Sequence, residues 1–209
     1  MSTPASRVLP FGSAYVQFGD PTTADGTDML NLGQQPSVTV TIDPQVAFPL
    51  AVGGRKNASS AFTRGVVATV EVTFDYFSFD LLTSAFPGII AATSNTDGDS
   101  GYSVTETFTQ LTLPTMVVIP PTVTFNAAAA SDPDTIWFPA VAPSGEITAF
   151  TYTDPGTGGS ENFYTLTFEA FDRSTDQDTT PIPAGARHMF FGAPSLYGLT
   201  WSIEDTPPS

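Results

Sequence analysis

Apolar residues in this chain recur at every second position, and that period confines much of it to strands that bury one face. In Ser37–Ile42, Val38, Val40 and Ile42 fall on one side and Ser37, Thr39 and Thr41 on the other. Thr69–Tyr76 repeats the pattern, with Val70, Val72, Phe74 and Tyr76 opposite Thr69, Glu71, Thr73 and Asp75. In Phe163–Phe171, Tyr164, Leu166, Phe168 and Ala170 oppose Thr165, Thr167 and Glu169. Leu199, Trp201 and Ile203 predict a last strand. The Val and Thr content works against helix, because branching at Cβ restricts χ1 there and suits a pleated surface. The expected fold class is all-β, an antiparallel sandwich or barrel with long loops.

Turn signals divide these runs. Asp154-Pro155-Gly156-Thr157-Gly158-Gly159 separates Glu146–Thr153 from Asn162–Phe171 and predicts a hairpin. Pro120-Pro121 breaks the run Met116–Phe125 into two short segments or an edge strand, and Asn126–Asp134 reads as a loop. Phe79–Phe86 is the one helix candidate, with Ser78 or Asp80 to cap it and Pro87-Gly88 to stop it. After Tyr76 the apolar phase shifts to Phe77, Phe79 and Leu81, as a bulge, a strand end or cover by a neighbouring subunit would produce. No repeat or linker divides the 209 residues, so a single domain is expected, with an N-terminal arm over about 1–13 and a tail over about 204–209.

Hydrophobic residues at 41% against charged residues at 13% give the chain enough apolar surface for a core and argue against disorder. Twenty-one acidic residues face six basic ones, and the net charge of −15 disfavours stable contact with a phosphate backbone. The same charge suits a surface past which a polyanion must slide. The absence of cysteine excludes disulfides, a thiolate nucleophile and a zinc–thiolate site. No run is long enough to span a membrane, and Met1–Pro10 lacks the apolar stretch of an export signal, so neither insertion nor export is expected.

Catalytic signals are weak. His188 is the single histidine, which leaves no material for a His-based triad or a multi-histidine metal site, and its neighbours Arg187 and Met189 fit a surface position. Glu71 with Asp75, and Glu106 with Glu169, are possible carboxylate pairs, but acids among threonines on strands fit a solvated face better. Asp97 and Asp99 in Asn95–Asp99 share the alternating oxygens of a calcium loop without its distal glutamate, and a hydrophilic turn is the plainer reading. Asp172, Asp176 and Asp178 read as an exposed loop. No enzyme activity and no cofactor are expected. The scarce cations are clustered: Arg55, Lys56 and Arg64 lie in a glycine-bounded segment, as a solvated loop or as a contact for the acidic surface of another copy.

The order of features from Met29 to Gly88 resembles the tail tube (major tail) proteins of long-tailed bacteriophages. Asn31-Leu32-Gly33 is followed by the alternating stretch Pro36–Asp43, a long segment from Pro44 through Gly53-Gly54-Arg55-Lys56-Asn57 to Arg64-Gly65, the strand Val67–Phe74 and the helix candidate. The segment Asp43–Leu50 is more apolar than in many relatives, which carry glutamates and a histidine there. The resemblance implies a β-sandwich with a flanking helix, six copies per ring, and stacked rings enclosing a bore for DNA. Its partners would be further copies, tape measure and tail terminator proteins, with DNA only in transit. Its location would be the virion tail, after assembly in the host cytoplasm. Thr39, Thr41, Thr69, Glu71, Thr73 and Asp75 would line the lumen, and Arg55, Lys56 and Arg64 would touch the next ring. Two other readings fit an all-β chain: a capsid decoration or jelly-roll subunit, and a carbohydrate-binding module stacking Tyr102, Trp137, Tyr197 and Trp201 on sugars.

Overall fold

The alternating Thr and Val runs form the two longest strands and set the frame for the rest. The computed structural model describes residues 12–22, 26–47, 62–74, 81, 83, 90–94, 96, 98–104, 113–144, 164–176 and 178–206. The strands are β1 (Gly12–Gly19), β2 (Met29–Ala47), β3 (Phe62–Phe74), β4 (Ile90–Ser94), β5 (Ser100–Val104), β6 (Thr115–Ile119), β7 (Ile136–Phe138), β8 (Val141–Ser144), β9 (Tyr164–Ala170) and β10 (Phe190–Phe191). All the pairings between them are antiparallel. The fold is all-β, as the alternation requires.

Eight strands make one sheet in the order β10-β7-β6-β1-β2-β3-β9-β8, and β4 and β5 pair separately. Only Pro139 and Ala140 separate β7 from β8, although the two lie toward opposite ends of that order. Ile136–Ser144 is thus one bent segment that pairs with β6 through its first half and with β9 through its second. At the bend Val141 N–H donates to the Pro114 carbonyl (3.0 Å) and Phe171 N–H to the Ala140 carbonyl (2.9 Å). The sheet curls into a barrel closed by its own chain.

Inside the barrel lie Val16, Phe18, Leu32, Val38, Val70, Val72, Phe74, Met116, Phe138, Leu166 and Phe168. Phe18 and Phe168 meet across it with ring centroids 4.9 Å apart. A second core covers the outer face of β6, β7 and β1, where Val117, Ile119 and Trp137 pack against Ile182, Phe190, Leu199, Trp201 and Ile203. All five residues of β6 are therefore buried, so its alternation disappears from the sequence.

The Leu32-Gly33 dipeptide has a structural task. Tyr15 pairs with Gln34 but Gln17 with Asn31, so β2 carries a bulge at this point. Gly33 supplies the positive φ of 72°, and its N–H bonds to Asn31 Oδ1 at 2.9 Å. The fully buried Gln35 donates from Nε2 to the Leu32 carbonyl at 2.5 Å.

Several expectations change. Leu199, Trp201 and Ile203 are buried but form no strand, because they dock on the outer core through side chains rather than on a sheet edge. Only Thr115–Ile119 of the Pro-broken run is a strand, and it is interior, since Pro120 follows it without entering the ladder. Ala127–Ser131 is a 3-10 helix within the expected loop, capped by Asn126 Oδ1 accepting from Ala128 N–H at 2.8 Å. Ile42 belongs to the inward phase yet is exposed, although its cross-strand partner Ala68 is fully buried in the barrel core. Within the helix candidate, Leu81 and Thr83 are helical and Leu81 is buried; the remainder of Phe79–Phe86 and the Glu146–Thr153 run lie outside the described residues.

Candidate functional site: a polar outer sheet face and a projecting arm

The strongest sequence-predicted site residues lie on β2 and β3, and the register aligns them. On the outer face of the barrel, Ser37 pairs with Thr73 and Thr73 with Thr165. The next row is Thr39, Glu71, Thr167 and Ser144, and the next is Thr41, Thr69, Glu169 and Ala142. The cause is simple. Val38, Val70, Val72, Leu166 and Phe168 are held in the core, and the period of two sends their neighbours outward. Thr73 Oγ1 and Thr165 Oγ1 lie 3.1 Å apart, a cross-strand hydroxyl contact of the kind that suits a pleated face.

Glu71 pairs with Thr167 and Glu169 with Thr69, so these two acids are diagonal neighbours on adjacent strands. The sequence had suggested other pairs, with Asp75 and Glu106, both of which lie outside the described residues. Nothing in one-dimensional spacing marks Glu71 and Glu169 as neighbours, because a separation of 98 positions along the chain hides the β3–β9 pairing. The rows contain no basic side chain. Such a face binds water through its hydroxyls and repels a polyanion through its carboxylates.

Beyond the barrel, β2 and β3 run on as a two-stranded arm. Among the described residues β1 pairs with β2 as far as Val38, whereas β2 and β3 stay paired out to Ala47 and Phe62. The expected loop from Pro44 to Gly65 is therefore strand at both ends. Pro44 is tolerated because β2 has no partner on its other side there among the described residues. Arg64 belongs to β3, at the irregularity between the Pro44–Val66 and Val46–Thr63 pairs; Arg55 and Lys56 lie outside the described residues. Ile42 and Val66 are exposed on the arm.

The other candidates disperse. Asp99 sits exposed in the turn between β4 and β5, where Gly98 takes a φ of 89°; Asp97 lies outside the described residues. Among the described residues no three His, Cys, Asp or Glu side chains gather around a possible metal position. His188 Nδ1 lies 3.5 Å from the Asp172 carboxylate. Trp137 and Trp201 are buried in the outer core with ring centroids 5.7 Å apart, so neither is presented to a sugar. Asp176, read from sequence as exposed, is buried, and its carboxylate accepts from Thr180 N–H at 2.6 Å.

Arg173 was not singled out by sequence, and its environment explains why it matters. Its guanidinium donates to the Leu113 carbonyl and to Thr115 Oγ1, tying the approach to β6 to the loop after β9. Burial lowers its pKa, while Asp20 and Asp176 oppose that shift. No protein-family model matches this sequence, and a search of curated proteins finds no match.

Proposed function

We propose that this chain is the structural subunit of a self-assembled tube, of the tail tube type found in long-tailed bacteriophages, with the Thr–Glu face turned toward the bore. The observation that carries the reading is the cation-free polar face whose rows run across β2, β3 and β9. A polymer of phosphates passing such a wall meets hydroxyls and carboxylates, which give it no point of retention. The arm of β2 and β3 supports the same reading, because a ribbon reaching past the barrel is suited to touch an adjacent copy. The net charge of −15 keeps free subunits apart until specific contacts form.

The barrel's own closure moves the burden of assembly from the main sheet to the projecting elements. Arg55, Lys56 and Arg64, in and beside the connection of the arm, are the proposed contacts to the next ring. Electron microscopy of the concentrated protein tests the proposal. Stacked rings with six-fold symmetry are expected. Compact monomers at all concentrations would exclude it, and trimers would favour a shell decoration subunit.

A further inference from the structure

The segment Leu199–Thr206 lies on the barrel in the manner of a bound peptide. It belongs to no strand, yet its residues alternate between two tasks. Leu199, Trp201 and Ile203 bury their side chains in the outer core. The even positions are gripped by their backbone. Ser202 N–H donates to the Pro21 carbonyl at 3.1 Å, both backbone groups of Glu204 bond to Gln17, and the Thr206 carbonyl accepts from Asn31. Gln17 and Asn31 are cross-strand partners on β1 and β2, so their carboxamides stand side by side and reach alternate residues of an extended chain. Main-chain bonds combined with burial of alternate side chains are how a sheet surface recognises a peptide. The seat is built by other contacts, since β1, β2 and β6 pair through their own ladders. One residue sets the direction in which the segment leaves the preceding turn. Gly198 is exposed, follows the 3-10 helix Pro194–Tyr197 with a φ of 73°, and has nothing within 4 Å of where a Cβ would stand. Its backbone can therefore rotate without displacing a neighbour.

We propose that Leu199–Thr206 is an exchangeable strap, which in the assembled protein seats on the Gln17–Asn31 clamp of a second copy. The contact itself selects the occupant. Every copy carries the segment that this clamp already holds, so exchange keeps the same bonds and the same buried side chains and changes only the hinge and the number of chains joined. Exchange wins where neighbouring copies raise the local concentration of straps above that of the chain's own, as a stacked array does. Strap and clamp are different patches, so handing the strap from copy to copy is a head-to-tail contact that closes into a ring where the rotation allows. This inference rests on the self-assembly reading and names the element that joins the copies.

The test uses full-length protein carrying Asn31→Cys/Thr206→Cys, since the chain has no cysteine of its own. In dilute monomer a bismaleimide with a reducible spacer links the pair within one chain and locks the strap at home. Locked protein is expected to need a roughly tenfold or higher concentration to assemble than the unlinked variant, and cleavage of the spacer to restore the unlinked threshold, both read by light scattering. Locked protein that assembles at the unlinked threshold overturns the exchange, and self-assembly stands. A wild type that stays monomeric overturns both. A second measurement needs no variant. Unlabelled and heavy-isotope-labelled wild type are mixed, assembled and treated with a carboxylate cross-linker. Links from Asp28 to Glu204 between light and heavy chains are expected, because Asp28 lies two residues from Gly26, whose Cβ position is 2.7 Å from Glu204 N. Links confined to chains of one label overturn the exchange even if the double variant misfolds.

Discussion

A primary amide can imitate a peptide group on both its donor and acceptor sides, and Gln17 uses both. Fully buried on β1, it donates from Nε2 to the Glu204 carbonyl at 2.6 Å and accepts from Glu204 N–H at 3.0 Å. Its cross-strand neighbour Asn31 donates to the Thr206 carbonyl at 2.8 Å. Gly26 completes the grip: with φ at 67°, a Cβ placed there would lie 2.3 Å from the Ile203 carbonyl carbon. Replacing Gln17 with Ala should destabilise the protein by about 2–3 kcal/mol, since two bonds vanish and buried backbone groups lose their partners. Asn31→Ala, which also loses two bonds, an exposed one to the Thr206 carbonyl and a part-buried one from Gly33 N–H, should cost less, about 1–1.5 kcal/mol. Urea denaturation measures both, and equal losses would show that burial does not set the scale. Arg173→Ala should cost about 3 kcal/mol, because the Leu113 carbonyl loses its donor and Asp176 its nearby cation.

At the scale of elements, one strand crosses two environments. Within β3, Val70 is fully buried in the barrel whereas Val66, four residues earlier on the same phase, is exposed on the arm. Val70→Ala should therefore lower stability by about 1.5–3 kcal/mol, and Val66→Ala by no more than about 0.5 kcal/mol. Assembly should respond the other way, with Val66→Ala weakening it more than its folding cost predicts. Chemical denaturation paired with sedimentation separates the two effects. The alternation that reveals β3 says nothing about this difference. It reports which face a residue takes, not how far the barrel extends along the strand.

The whole molecule carries its net charge of −15 on a small barrel, so ionic strength should govern association. Screening lengths fall from about 30 Å at 0.01 M salt to about 10 Å at 0.1 M, so raising salt across that range should lower the concentration needed for assembly. An unchanged threshold in light scattering would mean that like-charge repulsion does not limit the contact. The polar face makes a second claim at this scale. Glu71→Lys together with Glu169→Lys should leave stability within about 0.5 kcal/mol, since Glu71 is exposed and Glu169 only half-buried. The same variant should bind duplex DNA in low-salt anisotropy where wild type does not.

The all-β class and, strand by strand, the apolar and polar faces of β2, β3 and β9 were legible from residue order alone, because a period of two leaves one solution once one face is apolar. The bulge at Leu32-Gly33 was not: from residue order the dipeptide stands ahead of the strand, and the structure puts it inside β2. Closure of the barrel by Ile136–Ser144 left no signal, since a three-residue strand, two connecting residues and a four-residue strand are too short for a period to show. Nor did the burial of Trp201 and Ile203 without a strand, or the meeting of Glu71 with Glu169. Those depend on contacts between segments far apart in the chain, and sequence pattern is local. Periodicity chose the faces; only the tertiary structure decided which distant segments meet.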